Sequence, residues 1–466
     1  MVGSDDFEAR SADFLSWLSS RSCTVSPKIQ LADLRRHGAG RGVVAIQDIA
    51  EGEALFSIPR SNILSAATSS LSTAAPQVLD QLDPWSSLIV TMIYEYLRGS
   101  DGAWKPYFDV LPVSFNTLMF WSQEELANLQ ASAVTQKIGK AHADETFKEA
   151  IIPLIRNHAG AFFPDGTGTS VSDDELLALA HRMGSTIMAY AFDIEQEDNA
   201  GKDVDEDGYA SEEEEADLPK GMVPLADMLN ADADKNNARL HYGADALTME
   251  ALRDIRAGEE LFNDYGPLPR SDLLRRYGYV TSLYEKYDVV ELQTELIVGV
   301  ARGEGRLSAD ELDAKLGYLE EEGLQEAGYD IHRNPLDPED EFSIFDEEMR
   351  VLLATLLLPQ AEFERIKRKG KLPKPNVTHE MAQILQKAVQ LRKSQYQTSL
   401  EEDRRLTSSG VSSPRLKMAL AVRIGEKAIL AMAGQVLERA LEQGNLLKRN
   451  GDDDDGNGAA KRRKID

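Results

Sequence analysis

The chain has 466 residues, 28% of them charged and 42% hydrophobic, which is typical of a globular protein with two or three domains. Its formal net charge of −28 argues against binding to nucleic acid or to an anionic membrane and favours a basic protein as partner. The only cysteine, Cys23, excludes an internal disulfide and a multi-cysteine zinc site and favours a reducing compartment. The sequence contains no run of the roughly 18 apolar residues that a membrane span needs, and its acidic start does not resemble a signal peptide.

The N-terminal region predicts a helix followed by two short strands. Residues 1–28 contain an amphipathic helical pattern from Phe7 to Leu18, and β-branched runs predict strands at residues 43–46 and 54–58. A glycine cluster at residues 38–42 precedes the first strand, but it fits no phosphate-loop or dinucleotide-binding pattern. The cluster therefore predicts either a tight turn or a place where the backbone comes close to a ligand.

Residues of about 64–185 predict a mostly helical insertion. Helical periodicity recurs in the segments 85–98, 122–148 and 173–192. Between the first two segments, Trp104–Pro112 places aromatic residues between prolines. This arrangement predicts either a packed corner or a wall of a substrate site.

Residues 193–220 form a strongly acidic segment that predicts a disordered loop. From Asp193 to Asp217 the segment has thirteen acidic residues against one lysine and almost no apolar residues to bury. Part of it matches the spacing of an EF-hand calcium loop, at Asp203, Asp205, Asp207, Gly208 and Glu214. Ala210 stands where that motif needs a β-branched apolar residue, and Pro219 interrupts the helix that should follow. We therefore predict no metal site.

The stretch Met222–Val280 carries polar residues in places that neither a helical nor a strand period explains. It combines an amide and several phenols with glycines: Asn230 follows the apolar run Val223–Leu229, Asp264 and Tyr265 precede Gly266, and Tyr277 and Tyr279 flank Gly278. We interpret the stretch as a binding site. The alternatives are that Asn230 only caps a loop and that Tyr265 is a turn residue that packs on the core. The motifs of serine hydrolases, zinc metalloproteases and phosphate loops are absent from the sequence.

Residues 289–447 predict a helical domain. Val289–Val300 predicts a strand or a buried segment, and the clearest helix begins at Pro414 after the cap residue Ser413. The apolar stripe of this helix should face a core. On its other faces, Arg423 and Lys427 predict a solvated surface.

The tail, residues 448–466, predicts a disordered segment with a nuclear import signal. Lys448–Arg449 and Lys461–Lys464 are basic clusters with the spacing of a bipartite signal. The alternative is a charged tail that only aids solubility. We favour importin binding and a nuclear location, with the cytoplasm as a further location, because two basic clusters stand out in an acidic chain.

Three motifs, taken in order, resemble those of the SET-domain lysine methyltransferases: Gly40–Val43, Leu225–Asn230 and Glu259–Gly266. The wide interval between the first two resembles the split-SET group related to Rubisco large-subunit methyltransferase, and within it the ribosomal lysine methyltransferase type. The resemblance implies an α+β fold. A β-rich SET domain with the helical insertion would occupy residues 29–288, and an all-α substrate-binding domain would occupy residues 289–447.

The resemblance also implies an activity, a cofactor and site residues. It predicts a protein-lysine N-methyltransferase that uses S-adenosylmethionine, with Tyr265 as the catalytic residue beside the methyl group. The cofactor-binding residues that it implies are Gly40, Arg41, Gly42, Tyr190, Asn230, Ala231 and Tyr277. The substrate-binding residues that it implies are Trp104, Tyr190 and Val223. Ala231 departs from the family pattern, since many SET enzymes have histidine at this position, so an imidazole contact to the cofactor is lost.

The expected substrate is a lysine in a basic protein, for which we expect a ribosomal protein, and the expected enzyme is a monomer. Methyl transfer to an amine is an in-line displacement that depends on alignment and on a neutral lysine. Burial of the lysine beside a cationic sulfonium lowers its pKa. Two alternatives stay open: a non-catalytic SET-fold scaffold that binds basic proteins, and a SET enzyme that methylates another side chain such as histidine.

Overall fold

The computed structural model describes residues 5–37, 40–164, 166, 168, 170–194, 218–303 and 307–443. The chain divides into two units, each with its own hydrophobic core. The first unit consists of Met1–Leu126 and Val134–Glu285, and the second of Ala127–Ala133 and Lys286–Asp466. No helix in these described ranges is long and apolar enough to cross a membrane.

Short strands form three small sheets in the first unit. They are β1 Thr24–Val25, β2 Ile29–Asp33, β3 Arg41–Ala45, β4 Ala54–Pro59, β5 Leu64–Ser65, β6 Ala191–Asp193, β7 Lys220–Met222, β8 Asn230–Ala231, β9 Ala238–Tyr242, β10 Ala246–Ala251 and β11 Glu260–Asn263. The strand orders are β1-β4-β10-β9, β2-β3-β11-β8 and β5-β7-β6. Every pair is antiparallel except β8 with β11, which run parallel and place Asn230 opposite Phe262.

The helices of the first unit come mainly from the predicted insertion. They are α1 Asp5–Ser20, α2 Leu71–Ala74, α3 Pro84–Leu97, α4 Lys105–Phe108, α5 Gln123–Ala127, α6 Lys140–Thr146, α7 Ile152–Asn157, α8 Ala159–Phe162, α9 Asp173–Tyr190 and α10 Arg270–Asp272. Helix α3 begins with an N-cap, since the side chain of Asp83 accepts from the Ser86 amide and Pro84 occupies the first turn. Helix α9 begins with a capping box between Ser172 and Glu175.

Two π-helical turns interrupt the regular structure, at Phe147–Ile151 and Leu273–Tyr277. Turns of this kind are rare in proteins and often occur at functional sites. The continuous helical pattern predicted over residues 122–148 is wrong, because α5 and α6 are separate helices. Gly139 precedes α6 in the left-handed conformation, at φ +69°.

The predicted disordered loop at residues 193–220 is wrong at its two ends. Asp193 in β6 and Lys220 in β7 are paired across the antiparallel ladder, and their side chains form an ion pair. The charged partners explain why these acidic and basic residues belong to strands. Residues 195–217, which include the EF-hand-like match, lie outside the described residues.

The second unit is mostly helical, but the prediction of an all-α domain is wrong. It contains the antiparallel strands β12 Val289–Gln293 and β13 Gly328–His332, whose buried residues alternate along each strand. Its helices are α11 Thr294–Gly303, α12 Ala309–Glu321, α13 Glu347–Leu357, α14 Gln360–Lys367, α15 His379–Ser394, α16 Leu400–Ser408 and α17 Pro414–Gln443. The tail with its basic clusters lies outside the described residues.

A buried ion cluster in the second unit corrects the prediction that Arg423 and Lys427 form a solvated surface. Both side chains are buried and bind the carboxylate of Asp403, which is 1% exposed. Lys427 also donates to Thr398 at 2.9 Å, and Arg423 donates to the carbonyl of Asn128 at 2.6 Å. The cluster therefore ties α17 to α16 and to the segment Ala127–Ala133.

Candidate active site

Four segments of the first unit carry the residues of the candidate site. Tyr190 is the last residue of α9, Asn230 begins β8, and Tyr265 follows the end of β11 by two residues. Tyr277 ends the second π-helical turn, and Gly278 after it adopts a positive φ of +77°. A Cβ on Gly278 would lie 2.7 Å from the amide nitrogen of Thr117, so close backbone packing also requires glycine there.

The centre of the site is an aromatic pair. The rings of Tyr265 and Tyr277 are stacked, with centroids 4.4 Å apart and an interplanar angle of 8°. The hydroxyl of Tyr265 donates a long hydrogen bond of 3.4 Å to the carbonyl of Leu229, next to Asn230. Burial raises the pKa of Tyr265 well above its usual value, with further contributions from neighbouring tyrosines and Asp227. Tyr265 is therefore a neutral hydrogen-bond donor at physiological pH.

Asp227 is a buried acidic residue whose charge acts on Tyr265. Its side chain is 6% exposed and accepts a hydrogen bond from the hydroxyl of Tyr107. Its other oxygen, Oδ1, has no hydrogen-bond partner among the described residues. Burial raises the pKa of Asp227 to about 7, although the hydrogen bond from Tyr107 opposes the shift. A carboxyl group with this pKa can gain or lose a proton near neutral pH.

Asp227 lies close enough to two tyrosines of the site to affect their ionisation. The pKa of Tyr190 is raised to about 12, first by burial and then by the charge of Asp227, and the same charge acts on Tyr265. The turn that holds Asp227 contains Leu225, a non-glycine residue at φ +78°. Such strained backbone is concentrated at functional sites. Sequence reasoning assigned Asp227 no role, although an aspartate within the apolar run Val223–Leu229 was an available signal.

A second group of residues lies where β3, β8 and β11 meet. The amide of Asn230 donates to Glu260 Oε1 at 2.7 Å. A Cβ on Gly42 would lie 2.9 Å from Glu260 Oε1 and 3.0 Å from Asn230 Nδ2, so only glycine lets β3 come this close. Gly42 lies within β3 rather than in a tight turn, and the approach of this backbone to a ligand stays a prediction.

Gly40 and Arg41, which are also predicted to bind the cofactor, make contacts that differ from those of Gly42. Gly40 is exposed, and its carbonyl accepts from the amide of Leu34 at 2.9 Å. The Arg41 guanidinium lies 4.0 Å from the ring centroid of Phe7 and donates to Ser11 in α1. Burial lowers the pKa of Arg41 to about 10. The N-terminal helix thus engages the side chain of Arg41.

Trp104 does not lie at the wall of the candidate site. Its side chain is 3% exposed, and its ring lies 5.5 Å from that of Trp17, 6.2 Å from that of Tyr107 and 5.0 Å from the Arg21 guanidinium. Close packing in this cluster leaves no exposed face for a substrate, so the packed corner is the alternative that holds. Trp104 supports the site indirectly, because its neighbour Tyr107 binds Asp227.

Val223 and Ala231 are the remaining residues that are predicted to bind the substrate or the cofactor. Val223 is fully buried, and its carbonyl accepts from the Asp227 amide at 3.2 Å, so it shapes the turn rather than a substrate surface. Ala231 is half-buried and pairs with Asn263 of β11. No group of His, Cys, Asp and Glu residues in the described part of the chain could hold a metal ion.

Comparison with known proteins relates this geometry to a family. The family model described as "SET domain" matches residues 40–266, and the model described as "Rubisco LSMT substrate-binding" matches residues 307–430. Ribosomal lysine N-methyltransferase 4 of Saccharomyces cerevisiae is 38% identical over 349 residues, covering 71% of this chain and 69% of the relative. Human N-lysine methyltransferase SETD6 is 30% identical over 449 residues, covering 88% of this chain and 87% of the relative.

Solved structures share the fold. The structure of Rubisco LSMT bound to AdoMet has a TM-score of 0.66 at 21% identity, and it covers 94% of this chain and 93% of that one. The SET domain of LSMT bound to lysine and AdoHcy gives the same score, identity and coverage. The α+β fold prediction is confirmed by this likeness. The chain belongs to the SET-domain protein-lysine N-methyltransferases, in the group that carries a Rubisco LSMT-type substrate-binding domain.

Proposed function

We propose that this S-adenosylmethionine-dependent lysine N-methyltransferase methylates a ribosomal protein, with Tyr265 as its catalytic residue. The observation that carries the site assignment is the stacked pair of Tyr265 and Tyr277 beside the buried Asp227. The substrate assignment is supported by the name of the yeast relative, a ribosomal lysine N-methyltransferase. The net charge of −28 supports it too, because ribosomal proteins are rich in lysine and arginine.

The cofactor fits the residues around Gly42. S-adenosylmethionine supplies the electrophilic methyl group and carries a cationic sulfonium and an amino-acid end with an ammonium group. The Glu260 carboxylate and the Asn230 amide offer an anionic and a hydrogen-bonding group, and the absence of a side chain at Gly42 lets the β3 backbone pack closely against them. We assign cofactor binding to Gly42, Asn230 and Tyr277, together with the backbone of Arg41 and Ala231.

The residues around Tyr265 would prepare the substrate lysine. An incoming ammonium would lose water among the rings of Tyr190, Tyr265 and Tyr277, which lowers its pKa from about 10.4. Asp227 Oδ1 has no hydrogen-bond partner among the described residues, so it can accept a hydrogen bond from the amine and take its proton. The Tyr265 hydroxyl and the carbonyl of Leu229 would orient the neutral amine for in-line attack.

The experiment that tests this proposal is label transfer from radioactive S-adenosylmethionine to fractionated ribosomal proteins. We expect one labelled band with the wild-type protein and none with Tyr265→Phe or Asn230→Ala. Label that survives both substitutions would place the active site elsewhere. Acid hydrolysis of the band should release methylated lysine, whereas methylated histidine would favour the alternative of a histidine methyltransferase. A band outside the ribosomal fraction would overturn the substrate assignment alone.

The proposed location is the nucleus, reached through importin. The support is the bipartite spacing of Lys448–Arg449 and Lys461–Lys464 in an otherwise acidic chain. A fluorescent fusion of the full chain should accumulate in nuclei, and replacement of Lys461–Lys464 by alanines should shift it to the cytoplasm. An unchanged distribution would leave the basic tail as a solubility feature. We also propose a monomer, which sedimentation of the purified protein would test.

A further inference from the structure

A cavity of about 530 Å³ lies in the first unit, outside the candidate active site. Its walls come from the start of α3, the segment Thr117–Met119, the helices α6 and α9, and both π-helical turns. None of Tyr190, Asn230, Tyr265 and Tyr277 lines it. The volume lies within the range of roughly 300–1,000 Å³ found for small-molecule sites. A single protein side chain would not fill it.

The interior of the cavity is apolar with a few buried polar groups. Leu118 is fully buried in the wall, and Phe147 packs its ring against His181 at 5.0 Å. His181 is held by a hydrogen bond of 2.5 Å between its Nε2 and Asp144. Gly184 on α9 also lines the cavity, and a Cβ there would make van der Waals contact with Ile89 at 3.6 Å and Phe147 at 3.7 Å, so any longer side chain must use the space of the cavity.

One buried hydroxyl in the wall lacks a partner. Thr117 is 2% exposed, and its Oγ1 has no hydrogen bond with any described residue. Proteins rarely leave such a group unsatisfied, and the exceptions call for a bound molecule or another explanation. Ser185, which is also buried, adds a second hydroxyl to the lining. The unpartnered Thr117 hydroxyl is the sign that the cavity is built for a ligand with a hydrogen-bonding group.

The charged residues of the lining are mainly basic. Lys137, Arg275 and Arg276 line the cavity, and Asp83 is the acidic side chain among the described lining residues. Arg275 also binds Asp272 at 2.8 Å, so its charge is partly balanced. This basic lining contrasts with the net charge of −28 of the whole chain. It favours an anionic ligand and disfavours a lysine-rich peptide.

We propose that this cavity is a second ligand site, which binds a small amphipathic anion. The apolar body of the ligand occupies the space beside Leu118, Phe147 and Gly184. A hydrogen-bonding group of the ligand meets Thr117, and its carboxylate, sulfonate or phosphate faces Lys137 and the two arginines. Such a ligand is distinct from both the cofactor and the substrate lysine.

The position of the cavity gives the ligand a route to the active site. Arg275 and Arg276 belong to the π-helical turn that ends at Tyr277, and Tyr277 stacks on Tyr265. Thr117 lies against the backbone of Gly278, the next residue after that turn. A bound anion therefore contacts two of the segments that position the aromatic pair.

The test uses the full-length protein and the fluorescent probe 8-anilinonaphthalene-1-sulfonate, an aromatic sulfonate. We expect saturable binding at one site and displacement by 1-naphthaleneacetate. The cation 1-naphthylmethylammonium should displace the probe at least about tenfold less well. Gly184→Leu fills the cavity and should weaken probe binding at least about tenfold. Ala178→Leu is the matched control, because it adds the same side chain to another face of α9 and should leave binding unchanged.

Two results would overturn the proposal: unchanged affinity in a folded Gly184→Leu protein, and equal displacement by the anion and the cation. Circular dichroism establishes that each variant is folded. If Gly184→Leu does not fold, Thr117→Val and Lys137→Gln decide the question without adding volume. Each should weaken binding of 1-naphthaleneacetate at least about threefold, and full affinity in both variants would exclude the site.

Discussion

The rings of Tyr265 and Tyr277 stack with their centroids 4.4 Å apart. Tyr265 lies two residues after β11 and Tyr277 ends the second π-helical turn, so the stacking joins these two segments. Burial raises the pKa of the Tyr265 hydroxyl, Tyr277 contributes to the shift, and the hydroxyl therefore stays protonated. Stacking fixes the ring, so the hydroxyl is held in place before a substrate arrives. Fixed donors of this kind stabilise a transition state without reorganisation during the reaction.

The first prediction concerns the Tyr265 hydroxyl. Tyr265→Phe keeps the ring and its stacking on Tyr277 but removes the donor, so we expect kcat to fall by about 10²–10³. Affinity for S-adenosylmethionine, measured by calorimetry, should change little. Tyr96→Phe is the control, because it removes a hydroxyl from a partly exposed tyrosine outside the site. If Tyr265→Phe keeps more than half of the wild-type kcat, Tyr265 is not catalytic.

The second prediction follows from Asp227, whose pKa is raised to about 7 by burial. In the unfolded chain its pKa is about 3.9, so between about pH 4 and 7 the folded state holds a proton that the unfolded state has lost. The folded state binds more protons over this window, and stability falls as the pH rises through it. The full effect is about 4 kcal/mol, from a shift of roughly three units at 1.36 kcal/mol each.

Asp227→Asn removes this pH dependence. Thermal unfolding at pH 5 and pH 8 should show a smaller loss of stability on going to pH 8 in Asp227→Asn than in the wild type. The same substitution should abolish the rise of methyl transfer through about pH 7, because no carboxylate forms to accept the lysine proton. Identical pH profiles for the two proteins would show that Asp227 does not titrate in this range.

The third prediction compares two neighbouring glycines. Gly42→Ala places a Cβ within 3.0 Å of Asn230 Nδ2 and of Glu260 Oε1, so we expect S-adenosylmethionine to bind at least about tenfold more weakly. Gly40→Ala meets no atom within 4 Å and should leave affinity unchanged. Calorimetric titration measures both. Equal affinities for the two variants would mean that the β3 backbone at Gly42 does not form the cofactor site.

Much of the fold and family was predictable because the relevant signals are local. The strands predicted at residues 43–46 and 54–58 correspond to β3 Arg41–Ala45 and β4 Ala54–Pro59, since β-branched side chains restrict χ1 and pack well on a pleated surface. The predicted family and activity are confirmed by the family models and relatives. That result removes the support for the alternative of a non-catalytic SET-fold scaffold that binds basic proteins.

What sequence could not supply depends on partners far apart in the chain. Asp227 gains its raised pKa from burial and binds Tyr107, which is 120 positions away. For Trp104 the sequence left two alternatives, a packed corner and a wall of a substrate site. The cluster with Trp17 decides in favour of the packed corner. Charges on a helix predict a solvated face unless another helix supplies a counter-charge, as Asp403 does for Arg423.

The last prediction concerns that buried cluster. Asp403 receives hydrogen bonds from Arg423, Lys427 and Thr398, and these bonds lower its pKa even though burial alone would raise it. Asp403→Ala leaves two cations buried without their counter-charge, which should reduce the free energy of unfolding by about 3–5 kcal/mol. Glu401→Ala, at an exposed acidic residue of the same helix, should change it by less than about 0.5 kcal/mol. Urea unfolding of both variants measures the difference. A loss below about 1 kcal/mol for Asp403→Ala would mean that water or rearranged side chains reach the two cations, and the cluster would then not be what ties α17 to α16.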